Sequence, residues 1–288
     1  MGLTPADFFV KVHFAPAPAV VLVLGGAWYG WALRRLRRQG RRWPAIRTVS
    51  FASAWLLMAV TAFSGLTDFA RTNFSAFGSE YITAGLVAPA LLALSAPLTL
   101  AVQSARGPRD LRWLDSRAML VAANPFTTWV AFTATVFVLF FTRPLLAGAL
   151  AGGATGQAVS LWLLAIGWLF FWPVVDLDPA PMRMGHWPRI LYLLLTFPVF
   201  TIMGMGLESQ ASPVTSALSI GSLHLGGAVI WVAGESISLL GSLAVFTQWL
   251  RADERRMKSQ ETLNEAAAAR QMALWRASRE AAARAAPR

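Results

Sequence analysis

Cysteine is absent from the 288 residues, which removes disulfides, thiolate metal sites and thiol redox chemistry together. Lysine is almost absent. Lys11 and Lys258 both fall outside the apolar segments, so no Schiff-base lysine is available to hold a retinal within a bundle. The three histidines, His13, His186 and His224, sit near the ends of apolar segments, which argues against a haem held by paired imidazoles between helices. Acidic residues number 14 against 25 basic ones. No phosphate-binding glycine loop, nucleophile elbow or zinc-protease helix occurs, and the chain reads as a non-enzyme.

What is abundant is apolar. Hydrophobic residues make up 56% of the chain, with 13 Trp and a mean hydropathy of +0.52. Crossing a bilayer takes about 20 apolar residues, and stretches of that kind read near 17–33, 48–66, 81–102, 125–142, 157–175, 190–207 and 219–247. The basic residues sort around them. Arg34, Arg35, Arg37, Arg38, Arg41, Arg42 and Arg47 lie in the first loop, Arg106, Arg109, Arg112 and Arg117 in the third, and Arg183 and Arg189 in the fifth. Nine more follow the last span, leaving only Lys11, Arg71 and Arg143 for the other side. The positive-inside rule then predicts an outer N-terminus and a cytoplasmic C-terminus. The net charge of +11 is mostly a topology signal, and nucleic-acid binding is excluded as the main reading.

The expected fold is all-α: a polytopic seven-transmembrane-helix bundle with a C-terminal cytoplasmic helix. Residues 1–16 read as an outer interfacial segment rather than a cleavable signal, 17–250 as the membrane domain and 251–288 as the helical tail. The tail is rich in Ala with interspersed Glu and Arg, as from Asn264 to Arg270, and reads as a solvated helix fraying toward Pro287. Leu263, Met272 and Trp275 leave docking on a partner or on headgroups as a second reading. Pro89 and Pro97 in the third span and Pro198 in the sixth each remove a backbone donor and predict kinks.

Two polar features stand out inside the spans. Glu235 lies near the middle of the seventh, where an acid is costly and usually functional. Its other reading is a protonated or hydrogen-bonded group, bonded to Ser236 or to another helix, that only locks packing. His224 comes 11 residues earlier on the same face, at the outer mouth, with Glu235 roughly 16 Å deeper. The second feature is methionine: Met182 and Met184 before His186 in the fifth loop, and Met203 and Met205 in the outer half of the sixth span. Thioethers with imidazole suit Cu(I), but residues two apart on a helix face opposite ways, and packing is the competing reading.

Four stretches carry a family resemblance. They run from Trp28 to Pro44, from Ala88 to Leu100 (Ala-Pro-Ala-Leu-Leu-Ala-Leu-Ser-Ala-Pro-Leu-Thr-Leu), from Phe170 to Pro179 (Phe-Phe-Trp-Pro-Val-Val-Asp-Leu-Asp-Pro) and from Leu225 to Glu235 (Leu-Gly-Gly-Ala-Val-Ile-Trp-Val-Ala-Gly-Glu). In that order, over roughly residues 20 to 256, the chain resembles the CtaG-type cytochrome c oxidase assembly proteins of actinobacterial style. The resemblance implies a seven-span bundle of this orientation, linked to copper delivery or maturation at the oxidase's buried copper centre. It also implies a role for Glu235, which falls on the family's Trp-x-x-Gly-Glu pattern, and close helix contact at Gly226-Gly227.

The departures are as informative. Where the family's third span opens with Phe-Ser-x-His-Met-x-x-His, this chain has Phe74-Ser-Ala-Phe-Gly-Ser-Glu-Tyr81, so Phe77 and Tyr81 occupy the histidine positions. Phe200 stands at the histidine after the sixth-span proline, Ser222 at the acid before the Gly-Gly pair, and the fifth span carries no histidine. A phenyl ring donates no lone pair, so the usual outer copper site does not form from these positions. His224, Met203 and Met205, with Glu80 and Glu208 nearby, are the donors that remain.

The expectation is a multi-pass protein of the bacterial cytoplasmic membrane that assists cytochrome oxidase assembly. It would contact lipids and an oxidase subunit or other membrane complex, with copper and no cofactor as equal alternatives. A metal-free accessory subunit of a respiratory or other membrane complex is the alternative reading. A transporter using Glu235 as a relay is a third, and paired intramembrane charges are not evident for it.

Overall fold

The computed structural model describes residues 15–105 and 116–285. The expected interfacial segment 1–16, apart from its last two residues, therefore lies outside the described residues, as do Arg106, Arg109 and Arg112. The described residues are all-helical, at 83% helix without strands. Helix α1 is Pro16–Arg38 and α2 is Ala45–Phe63. A short α3, Leu66–Ala70, leads into the third span, built from α4 (Phe74–Ile82), a π-turn (Thr83–Val87), α5 (Ala88–Leu94) and α6 (Pro97–Ser104). Then follow α7 (Arg117–Ala122), α8 (Pro125–Phe141), α9 (Arg143–Leu150) and α10 (Gly153–Val175). The last are α11 (His186–Leu194), α12 (Thr196–Glu208) and α13 (Ile220–Ala285). The chain divides into two compact units, 1–242 and 243–288. In the second unit α13 continues to Ala285, with Leu263, Met272 and Trp275 exposed.

Among the described residues six helices or helix stacks are long and apolar enough to cross a membrane, and a seventh if a bent pair counts as one span. That pair is α8 and α9, which meet at 83°. The expected fourth span is thus a 17-residue helix that stops at Phe141. Pro144 lacks the N–H that would bond the Phe140 carbonyl, so the helix cannot run on and a new one starts at Arg143.

The third span is broken where the prolines fall. Pro89 cannot return a hydrogen bond to Gly85, and the π-turn just before it absorbs the mismatch. The freed Gly85 carbonyl is the point of closest approach of the fifth span: a Cβ at Gly167 would overlap it and would lie 2.7 Å from the Pro89 ring. Only glycine lets these two helices cross so closely.

The second break is at Ser95 and Ala96, with Ala96 in the left-handed region at φ 52°. It leaves the first amides of α6 without carbonyl partners, and Ala96 has no side chain to cap them. A residue 80 positions away does so instead. Asp178, buried after the end of α10, accepts from Leu98 N (3.2 Å) and Thr99 N (2.6 Å) and from the Thr99 hydroxyl (2.7 Å). Burial pushes its carboxyl above the usual range, while the Thr99 and Leu98 donors and the charge of Arg47 pull it back. Two residues earlier Asp176, at φ 53°, ends α10 and pairs with buried Arg189 at 2.6 Å, while Arg189 Nε also donates to the Met184 carbonyl at 3.0 Å. The loop between the fifth and sixth spans is therefore fastened at both ends.

Two outcomes follow for stability in detergent. Gly167→Leu should lower the unfolding free energy by about 1–3 kcal/mol through overpacking, whereas Gly30→Ala, whose Cβ would meet nothing within 4 Å, should be neutral. Asp178→Ala should lose about 1–3 kcal/mol by stranding the α6 amides, and Asp178→Asn less, since its amide oxygen still accepts. Denaturant melting of the purified variants measures both pairs, and equal stability within a pair would refute the corresponding contact.

Candidate functional site

The sixth and seventh spans run antiparallel in one register, set by small residues facing large ones. Leu193 meets Gly241, Phe200 meets Gly234, Trp231 meets Gly204, and Leu207 meets Gly227. A Cβ at Gly234 would press into the Phe200 ring, so glycine there allows the buried phenyl to lie flat on the seventh helix. The neighbouring Gly226 faces the backbone of Phe74 in the third span, so the Gly-Gly pair seats the seventh span against two neighbours.

Polar pairs stitch the same seam. The Thr196 and Ser238 hydroxyls are 2.7 Å apart, and Ser238 also donates to the Gly234 carbonyl. One step outward, Glu235 Oε1 accepts from the Thr201 hydroxyl and from Trp231 Nε1, both at 2.6 Å. The partners are thus another helix and the preceding turn, not Ser236. Among the described residues no cation lies within ion-pair distance of Glu235. The site holds one carboxyl oxygen between two neutral donors, which suits proton exchange or helix locking.

His224 also turns to the sixth span. Its Nε2 lies 3.4 Å from the Gln210 carbonyl, at the end of α12. The methionines divide: Met203 is 0% exposed and Met205 is 58% exposed. In this register Met203 is level with Trp231, so His224 lies two turns away along the axis, roughly 10 Å by the helix rise. Met205 points out of the bundle. The three donors do not converge on one ion, and no group of three or more His, Asp or Glu gathers elsewhere among the described residues. In the fifth loop the Met182 sulfur accepts weakly from Asn124 Nδ2 at 3.4 Å, and Met184 is engaged through its carbonyl by Arg189.

Two of the three positions where the resemblance implies histidines, Phe77 and Tyr81, pack on one ring, and the third, Phe200, packs elsewhere. Tyr81 meets Phe140 edge-on at 4.9 Å, Phe77 meets the same ring at 6.1 Å, and Phe200 is fully buried beside Gly234. Phe77 and Tyr81 also border a cavity of about 50 Å³ between the second, third and fifth spans, space for a small number of waters. Glu80 opens into it, accepting from the Thr67 hydroxyl at 3.0 Å, with Gln157 and Ser160 opposite. Glu208 is exposed at the end of α12. Sequence reasoning named Glu80 only as a neighbour of the mouth and did not single out Asp178 or Arg189. The signal for these last two was an Asp-Leu-Asp run in a loop otherwise populated by basic residues.

Comparison with known proteins agrees with the geometry. The chain is 29% identical to an uncharacterised protein of Mycobacterium bovis and to one of Mycobacterium tuberculosis, each match covering 85% of this chain and 40% of the relative. It is 28% identical to an uncharacterised protein of Mycobacterium leprae over 83% of the chain and 39% of the relative. The chain therefore spans about two fifths of the length of these curated relatives. No solved structure matches it. A family model described as cytochrome c oxidase caa3 assembly factor matches residues 27–252, from the middle of α1 into the second unit, and takes in the broken third span, the Asp178 cap and Glu235. This multi-pass helical chain belongs to the family of cytochrome c oxidase caa3 assembly factors.

Proposed function

We propose that the protein assists assembly of a cytochrome oxidase in the bacterial cytoplasmic membrane by holding a membrane-embedded subunit through its helices. Its N-terminus would lie outside and its C-terminus in the cytoplasm. The observation that carries this reading is the family match over the whole helical bundle. The orientation rests on the arginine-rich first loop and tail against the single Arg71 and Arg143 of the opposite loops.

Copper delivery is the finer question. A Cu(I) site takes soft sulfur and imidazole donors within bonding distance of one point, and His224, Met203 and Met205 do not supply that. The packing of Phe77 and Tyr81 on Phe140, and of Phe200 on Gly234, favours a second reading, a metal-free accessory protein that stabilises its partner by contact alone. Copper delivery and contact alone would use the same scaffold and differ in whether a metal passes through it.

Cu(I) titration of the purified chain against a competing chelator separates them, with His224→Ala as the control. The expected result is no stoichiometric site and no difference between the two proteins. Tight binding at one equivalent, lost in the variant, would restore the copper reading. Deleting the protein should lower the yield of assembled oxidase, read from its haem spectrum, and equal yields would reject the assembly role.

Glu235 adds a second test. Glu235→Gln keeps an oxygen for Thr201 and Trp231, so the packing role expects near-normal stability and oxidase yield. Glu235→Leu strands two donors and should cost about 1–3 kcal/mol. A relay role expects the opposite pattern, with Gln silencing function while the fold melts normally.

A further inference from the structure

A second concavity is lined by spans other than the two that hold Glu235. It is a groove of about 240 Å³ between the first, second, third and fifth spans, walled by Gly25, Trp28, Phe51, Trp55, Ala101 and Trp168 and apolar throughout. The wall is rigid. Tyr29, Phe51 and Trp55 stack in series at 3.8 and 4.3 Å, Trp55 Nε1 is anchored on the Leu22 carbonyl, and Trp43 Nε1 donates to the Tyr29 hydroxyl. Trp28 is only partly covered, so the groove opens to the lipid.

Its basic end is marked by arginines on the same helix faces. Arg47 lies one turn before Phe51 on α2, and Arg35 lies two turns after Trp28 on α1. Each guanidinium lies over a tryptophan, Arg35 over Trp31 at 5.1 Å and Arg47 over Trp43 at 4.9 Å. Buried Arg35 Nη2 has no hydrogen-bond partner. Among the described residues no carboxylate lies within ion-pair distance of either arginine. Asp178 is close enough to feel the charge of Arg47, but both its oxygens are occupied by Leu98 and Thr99. Arg41, which completes the rim, donates to the Gln103 carbonyl at the end of α6.

An apolar groove of this volume, with guanidinium groups without an ion-pair partner on the same helix faces, matches a phospholipid in polarity and charge. We propose that this groove binds one anionic phospholipid from the leaflet at the basic loops, an acyl chain along the tryptophan wall and the phosphate between Arg35 and Arg47. The bound lipid would give the two guanidinium groups an anionic partner and tie the first loop to the third span.

The test is native mass spectrometry of the delipidated full-length protein in detergent, titrated with phosphatidylglycerol or phosphatidylcholine. One phosphatidylglycerol per chain should be retained in preference to phosphatidylcholine. Arg35→Gln combined with Arg47→Gln should weaken phosphatidylglycerol retention by about thirtyfold, the order expected when two arginines at an anionic surface are neutralised. The double Arg→Lys variant should keep most of it, and Ala101→Leu, which fills the groove, should reduce retention of both lipids. Equal retention of the two lipids, or no change in Ala101→Leu, would overturn the proposal. A double Lys variant as poor as the Gln variant would overturn it too, by showing that the effect came from misfolding. Unchanged lipid retention with loss of a co-purifying oxidase subunit in Ala101→Leu would reassign the groove to a protein partner.

Discussion

Within hydrocarbon no water is available to satisfy an interrupted backbone, so every break in a spanning helix needs a partner from inside the protein. The break at Ser95 and Ala96 meets that demand through Asp178, and the arrangement of the fifth and sixth spans depends on it. Asp178 can reach Leu98 and Thr99 because α10 ends three residues earlier, with Asp176 in a left-handed turn held by Arg189. One carboxylate caps a helix it does not belong to, and its neighbour anchors the next span. Two of the stretches that carry the resemblance, Ala88 to Leu100 and Phe170 to Pro179, are thus one structural unit.

The spans themselves were legible in the sequence, because apolar runs of this length have few other uses. So were the third-span kinks, since proline removes a donor wherever it falls, and the divergence of Met203 and Met205, which follows from two-residue spacing on a helix. The 83° bend after Phe141 was not anticipated, because Thr142 and Arg143 ahead of Pro144 read equally well as a span ending in a short loop. The pairing of Asp178 with α6 joins residues 80 apart, and no local pattern announces it. For Glu235, the sequence left open which helix would serve it, and Thr201 emerged only once the antiparallel register was known.

That register also accommodates aromatic side chains at positions where the sequence resemblance implies imidazoles. Phenylalanine at position 200 is accommodated because Gly234 leaves room for its ring, and the cluster of Phe77, Tyr81 and Phe140 fills space that polar ligands would otherwise need to hydrate. Aromatic edge-to-face pairs of this kind contribute about 0.5–1.5 kcal/mol each beyond burial. The substitution is therefore compatible with a well-packed core rather than a collapsed one.

The short fourth span has an effect beyond the protein. Its 17 residues reach roughly 25 Å by the helix rise, against about 30 Å of hydrocarbon in a typical bilayer. Were α8 to cross on its own, lipids along that side would shorten or tilt to keep Arg143 hydrated, at a cost of fractions of a kcal/mol per ångström of mismatch. A thinned margin of this kind draws in other segments of reduced hydrophobic length, because sharing one deformed annulus is cheaper than making two. The bundle would then gather short-helix companions by the elasticity of the bilayer alone, before any side chain of theirs is recognised.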